Sequence, residues 1–136
     1  MEKINKLICY LLAIANYAKD IHYTCHGEAF YAKHLLADRI YDGLYDFIDL
    51  LKETCLLGNE IEPLPSGEYL SRATSLIKPI TDNDKTNFDN MKDLLVDALA
   101  IMDEMKDMTR AESSLIDNIS QDLQQKVGLV NLQVKE

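Results

Sequence analysis

Tryptophan is absent from the chain, and glycine and proline are scarce, at five and three residues in 136. So little turn-forming material argues against a fold of many short strands. The cysteines, Cys9, Cys25 and Cys55, are odd in number and show no C-x-x-C spacing; reduced, mostly buried thiols are expected, not a disulfide framework. Basic residues are outnumbered, 14 Lys and Arg against 23 Asp and Glu, for a formal net charge of −9. Nonspecific nucleic-acid binding depends on Lys and Arg neutralising phosphates, so DNA binding is not expected, and neither terminus carries a basic block. A long apolar run is also missing. The longest nearly uncharged stretch, Leu7 to Ala18, is interrupted by Asn16 and is too short to span a bilayer. The opening "MEKINK" leads into an amphipathic pattern with no evident cleavage site, and the expected location is cytoplasmic, with no membrane partner.

What the chain does have is apolar content, 47% of its residues, and that content is periodic. One domain over 1–136 can bury a core without disulfides or a structural metal. Ile4, Leu7, Ile8, Leu11, Ala15, Ala18, His22 and Cys25 recur at steps of three and four, the mark of one helix face, with a stop near Gly27. A second pattern runs from Phe30 through His34, Ala37, Asp38, Tyr41, Leu44, Tyr45, Ile48 and Leu51 to Cys55 and predicts one long helix. Leu35, Leu36, Ile40 and Phe47 lie off its main face, as in a helix with a partner beyond its own bundle. Ser66 is placed to cap a short helix ending before Lys78-Pro79. Phe88, Met91, Leu95, Ala98, Met102 and Met105 mark a third long helix. "TRAE" at 109–112 has capping-box form and opens a fourth with Leu115 or Ile116, Ile119, Leu123, Val127 and Val130. The expected fold is all-α: a ferritin-like four-helix bundle with a short extra helix between the second and third long helices.

Five polar residues interrupt these apolar patterns: His22, His34, Asp38, Asp49 and Glu53. At about 100° per residue, His34 and Asp38 share a helix face, as do Asp49 and Glu53, and eleven residues from Asp38 to Asp49 return to nearly the same azimuth. Along a straight helix that step covers roughly 16 Å, too far for one metal ion. A second copy laid antiparallel across a two-fold axis brings its Asp49 and Glu53 level with His34 and Asp38. The crossing falls at Gly43, where a missing side chain permits close approach, and His22 joins from the first helix. Mixed imidazole and carboxylate ligands suit iron, manganese or zinc. Singly, each residue also has an ordinary reading, as a hydrogen-bonded histidine, a solvated acid, or an Asp38 paired with a nearby lysine or arginine.

The spacing H-x11-H-x3-D-x10-D-x3-E, with Gly27 and Phe30 between the histidines and "LLG" at 56–58, resembles the ferroxidase site of the Dps family, the dodecameric mini-ferritins of starved bacterial cells. The motif covers about a quarter of the chain, and the helix layout extends a looser resemblance over nearly all of it. The resemblance implies a shell of twelve subunits built from two-fold dimers. Such a shell oxidises Fe(II) with hydrogen peroxide or oxygen and stores ferric oxide, protecting against oxidative damage. His22, His34 and Asp38 are then the metal-binding and catalytic residues of one chain, completed by Asp49 and Glu53 of its mate, at a di-iron or mono-iron site that can also take Zn or Mn. The family often has Trp after the first histidine; Tyr23 stands there, and tyrosine can serve in its place. The basic tail with which some members bind DNA is not expected here, since the first helix pattern already begins at Ile4. Cys25 and Cys55 read first as small core residues, with a redox role second. Asp107, Glu112 and Asp117, near the start of the last helix, are the candidate acids of the iron entry pore the resemblance implies, or else acids that only stabilise the helix dipole.

Other chemistries fit less well. Glu-x-x-His pairs, H-E-x-x-H and a P-loop do not occur. "DNDKTNFD" from Asp82 has Asn87 where a calcium loop needs Gly and Asp93 where it needs a bidentate Glu, so helix capping explains it better. The alternative to a ferroxidase is a shell or helical dimer that binds metal without turnover; a purely structural interaction protein is the third option.

Overall fold

The computed structural model describes residues 1–135, and no strand occurs among them. Six α-helical segments follow in order: α1 (Glu2–Thr24), α2 (Phe30–Tyr41), α3 (Leu44–Leu50), α4 (Ser66–Leu76), α5 (Asp84–Asp103) and α6 (Arg110–Val134). A π-helical turn, Leu51–Leu56, and a short 3-10 turn, Leu57–Asn59, extend α3. None of the helices among the described residues is long and apolar enough to cross a membrane.

α1 is the centre of the structure. Leu11 to Ala15 are buried in unbroken succession, and α1 packs on α2, α3, α4 and α5. α5 also packs on α6, and α6 on α2, so α1, α2, α6 and α5 close a ring. Side-chain pairs give the directions. His22 meets His34 and Asn16 meets Tyr45, so α2 and α3 run antiparallel to α1. Tyr17 meets Asn87 while Lys3 meets the Glu104 carbonyl, so α5 is antiparallel to α1 as well. Consequently α3 and α5 run the same way, and the segment between them has to travel back along the bundle. α4 lies on that path, fixed to the start of α1 by Tyr69, whose hydroxyl donates to Asn5 Oδ1 at 2.6 Å, and by Arg72 against Glu2.

Four expectations need correction. The second helix is not continuous: Asp42 is extended (ψ 133°) and Gly43 is left-handed (φ +80°), which ends α2 and starts α3. Asp-Gly is a turn-forming dipeptide, and here it overrides the periodicity on either side. Within the protomer Gly43 serves that backbone angle, not a close approach, since a Cβ there would meet nothing within 4 Å. Ile40, expected off the main face, is fully buried and belongs to the core with Ala37, Leu44 and Ile48. Ser66 is the first residue of α4 and not its cap; Pro65 precedes it and no side chain caps the helix. Met105 lies beyond α5, which ends at Asp103.

The remaining caps follow their local sequence. Asn83 accepts from the Thr86 N–H at the start of α5, so capping accounts for "DNDKTNFD". The buried Asn87 holds the preceding loop through Thr81. Thr109 and Glu112 form the capping box of α6.

Asp84, in the first turn of α5, clips the α1–α2 turn to the bundle. It accepts from the His26 N–H and from Lys33 Nζ, both at 3.0 Å. Burial pushes its carboxyl pKa up, but the His26 N–H and the Lys33 ammonium outweigh burial and hold it below the ordinary carboxylate range. A depressed folded-state pKa contributes stability that is complete above the unfolded value and is lost as pH falls through the folded one. Asp84→Asn is therefore expected to lower stability by about 1–2 kcal/mol at neutral pH, with the deficit closing below about pH 4. Denaturant titrations of both proteins across that range check it; a pH-independent difference contradicts it.

Two glycines should respond oppositely to the same substitution. Gly43→Ala forces a side chain into the left-handed region and should cost about 1–2 kcal/mol. Gly128→Ala, inside α6 with open space around the new Cβ, should stabilise by about 1 kcal/mol. Paired thermal melts measure both, and like signs for the two would refute the account.

Candidate metal centre

The five polar residues distribute over three elements. His22 sits in the last turn of α1, His34 and Asp38 lie on α2, Asp49 is in α3, and Glu53 lies in the π-helical turn. Because α1 and α2 run antiparallel and are joined by a tight turn, His22 and His34 come level. Their rings stack with centroids 3.6 Å apart.

Each of these histidines is held by the other's backbone. His22 Nδ1 lies 3.2 Å from the His34 carbonyl oxygen, and His34 Nδ1 lies 3.0 Å from that of His22. A carbonyl oxygen only accepts, so each Nδ1 must carry the proton and donate. In the neutral ring that leaves Nε2 unprotonated, with its lone pair available. A ring N–H donated to a backbone carbonyl while the other nitrogen stays free is the usual arrangement of metal-ligating histidines. The reciprocal pair thus presents two oriented imidazole donors at one place.

Asp38 is adjacent but differently engaged. Its Oδ1 lies 3.7 Å from His22 Nδ1 and 3.4 Å from Lys19 Nζ, and its side chain is half exposed. Lys19 also stands over the Tyr41 ring at 4.3 Å. The basic partner foreseen as a possibility for Asp38 is therefore Lys19, three residues before His22 on the same helix face.

Asp49 and Glu53 are exposed and lie beyond the break at Asp42–Gly43. Within the protomer, no three His, Cys, Asp or Glu side chains among the described residues converge on a point that could hold a metal ion. The acids do not line a buried face either; only the histidines are partly sheltered. The donor chemistry, two imidazoles and nearby carboxylates, fits a borderline divalent cation such as iron, zinc or manganese.

The surroundings are aromatic. Tyr23 packs edge-on against His22 at 5.1 Å and is mostly exposed, while Phe30 and Tyr31 flank His34. Phe30, Leu35, Tyr45 and Leu50 are all exposed on the same run of chain that carries the five polar residues. All three cysteines are free and buried. Burial pushes Cys25 up from its ordinary value and Cys55 up to about 11. Both are protonated at neutral pH, in keeping with small core residues, since the thiolate is the reactive form. Glu112, a pore candidate, is nearly buried. It accepts from the Thr109 N–H at 2.8 Å and from Asn59 Nδ2 at 2.7 Å, and the Thr109 contact leads in pulling its pKa down. Its carboxylate is occupied by the cap, whereas Asp107 and Asp117 are exposed.

Two residues escaped the sequence reading. Lys126 is fully buried in α6 and reaches the break between α2 and α3; its signal was a lysine in the apolar stripe of Leu123, Val127 and Val130. Asp84 carried none, because its partners lie more than fifty residues away.

Ring-nitrogen NMR tests the histidine arrangement. In the neutral form both His22 and His34 should show a protonated Nδ1 and a bare Nε2; a protonated Nε2 on either ring breaks the reciprocal pairing. These conclusions rest on the geometry of this chain, for no family model matches it and no curated protein matches it.

Proposed function

We propose that the protein is an iron-oxidising, iron-storing mini-ferritin of the Dps type, with Fe(II) as its substrate. The observation that carries the reading is the reciprocal His22–His34 pair: two pre-oriented imidazole donors, with Asp38 beside them, on a run of chain that also exposes apolar side chains. A half-site beside Phe30, on a run of chain that also leaves Leu35, Tyr45 and Leu50 uncovered, suits completion by a second copy. In that dimer Asp49 and Glu53 of the mate supply the missing carboxylates, across a helix that bends at Gly43. The ring of α1, α2, α6 and α5 and the crossover carrying α4 support a ferritin-like bundle, and twelve subunits assembled from two-fold dimers would enclose the store.

Two Fe(II) ions held together give one electron each to hydrogen peroxide. The O–O bond breaks, two hydroxide ions form and both irons become Fe(III), so no hydroxyl radical is released. The protein's part is to orient the imidazole donors and to bring the carboxylates beside the cations. Metal binding without turnover is the second reading. Lys19, already engaged with Asp38, favours it, because it competes for a carboxylate that turnover would need.

Anaerobic Fe(II) loading followed by peroxide separates the two. Fast oxidation, with iron co-eluting in a particle near twelve subunits, supports the ferroxidase; bound metal without oxidation supports the alternative. His22→Ala and Asp49→Ala should each slow oxidation at least as much as the roughly 10–100-fold typical of losing an outer-shell partner, with assembly unchanged on sizing. Full rates in both variants would remove the site assignment.

A further inference from the structure

Lys126 is 1% exposed and sits in an apolar stripe where leucine or methionine would pack without the cost of burying a charge. Its ammonium has two partners, Asp122 Oδ2 at 2.6 Å on its own helix and the Asp42 carbonyl oxygen at 3.2 Å. The second contact explains its presence. Around the break, the Asp42 N–H donates to the Asp38 carbonyl and the Phe47 N–H to the Gly43 carbonyl, while the Asp42 carbonyl between them takes the donor that α6 sends. The cation also sits at the C-terminal end of α2, where it complements the helix dipole.

The break divides the candidate ligands. His22, His34 and Asp38 lie before it; Asp49 and Glu53 lie after it. We infer that Lys126 is a positioning residue: by holding the Asp42–Gly43 break from α6, it fixes where Asp49 and Glu53 stand relative to the histidine half-site. In a two-fold dimer that placement decides whether each chain's acids reach the other's histidines. The inference rests on the shared-site reading above. It makes the last helix, which contributes no ligand, a determinant of the site.

Co(II) is a suitable probe, because its visible absorption reports coordination without any turnover. Affinity should be measured on the full chain for the wild type, Lys126→Met, Asp49→Ala and the double variant. Lys126→Met should weaken Co(II) binding at least about tenfold, and the loss in the double variant should fall clearly short of the product of the two single losses, because both changes act on the carboxylate side of the site. NMR signals of the His22 and His34 rings should still move with metal in Lys126→Met. Wild-type affinity in Lys126→Met, or losses that multiply in the double variant, overturns the inference. Should Lys126→Met fail to fold, Gly43→Ala disturbs the same break at an exposed position and must give the same non-additive pattern with Asp49→Ala. A wild-type chain with no His22-dependent Co(II) spectrum removes the shared-site reading itself, and this inference with it.

Discussion

Five consecutive buried residues, Leu11 to Ala15, cover more than a full turn of α1, so α1 is stable only with neighbours on every side. Burying each leucine or isoleucine contributes about 1.5–3 kcal/mol, and that gain is realised only once α2, α4 and α5 are all in place. The same constraint positions the candidate metal centre. A helix enclosed in this way keeps a fixed rotation about its axis, and His22, one residue past the buried Ile21, is held at the edge of the enclosure facing α2.

The interruption at Asp42–Gly43 is a local conflict between two physical preferences. Apolar periodicity on both sides favours one continuous helix, and Asp-Gly favours a turn. Breaking the helix leaves a carbonyl to satisfy and bends the chain, and the buried Lys126 supplies the donor. The π-helical turn that follows, Leu51–Leu56, changes the angular step again just where Glu53 lies; such turns are often found at functional sites. The acids beyond the break are therefore not placed by simple helical counting from Asp38.

Most of the helices, and the caps of α5 and α6, were legible because they are written in nearby residues. Thr109 and Glu112 specify their cap within four positions, and the stripe of α5 from Phe88 to Met102 needed only a count of threes and fours. The pairing of His22 with His34 was legible too, since a tight turn near Gly27 leaves little freedom. What periodicity missed depends on partners distant in sequence or on backbone angles. Counting apolar residues does not reveal a left-handed Gly43, a lysine reaching from position 126 to 42, or the contacts of Asp84 with Lys33 and His26. The exposure of Asp49 and Glu53 was hidden for another reason: the same alternation of acids and apolar residues describes a solvent face and a surface awaiting a second chain.

Two rings and two carbonyls joined crosswise make a closed circuit between α1 and α2, so neither helix can turn without breaking both hydrogen bonds. The imidazole side of the candidate site is therefore held in place by folding alone. Asp38 is different: it rests on a partly exposed lysine and must change partners to serve as a ligand. Were a cation to bind there, the reorganisation that lowers net affinity would fall on the carboxylates. Occupancy would alter the acids and the lysine while leaving the helix pair where folding put it.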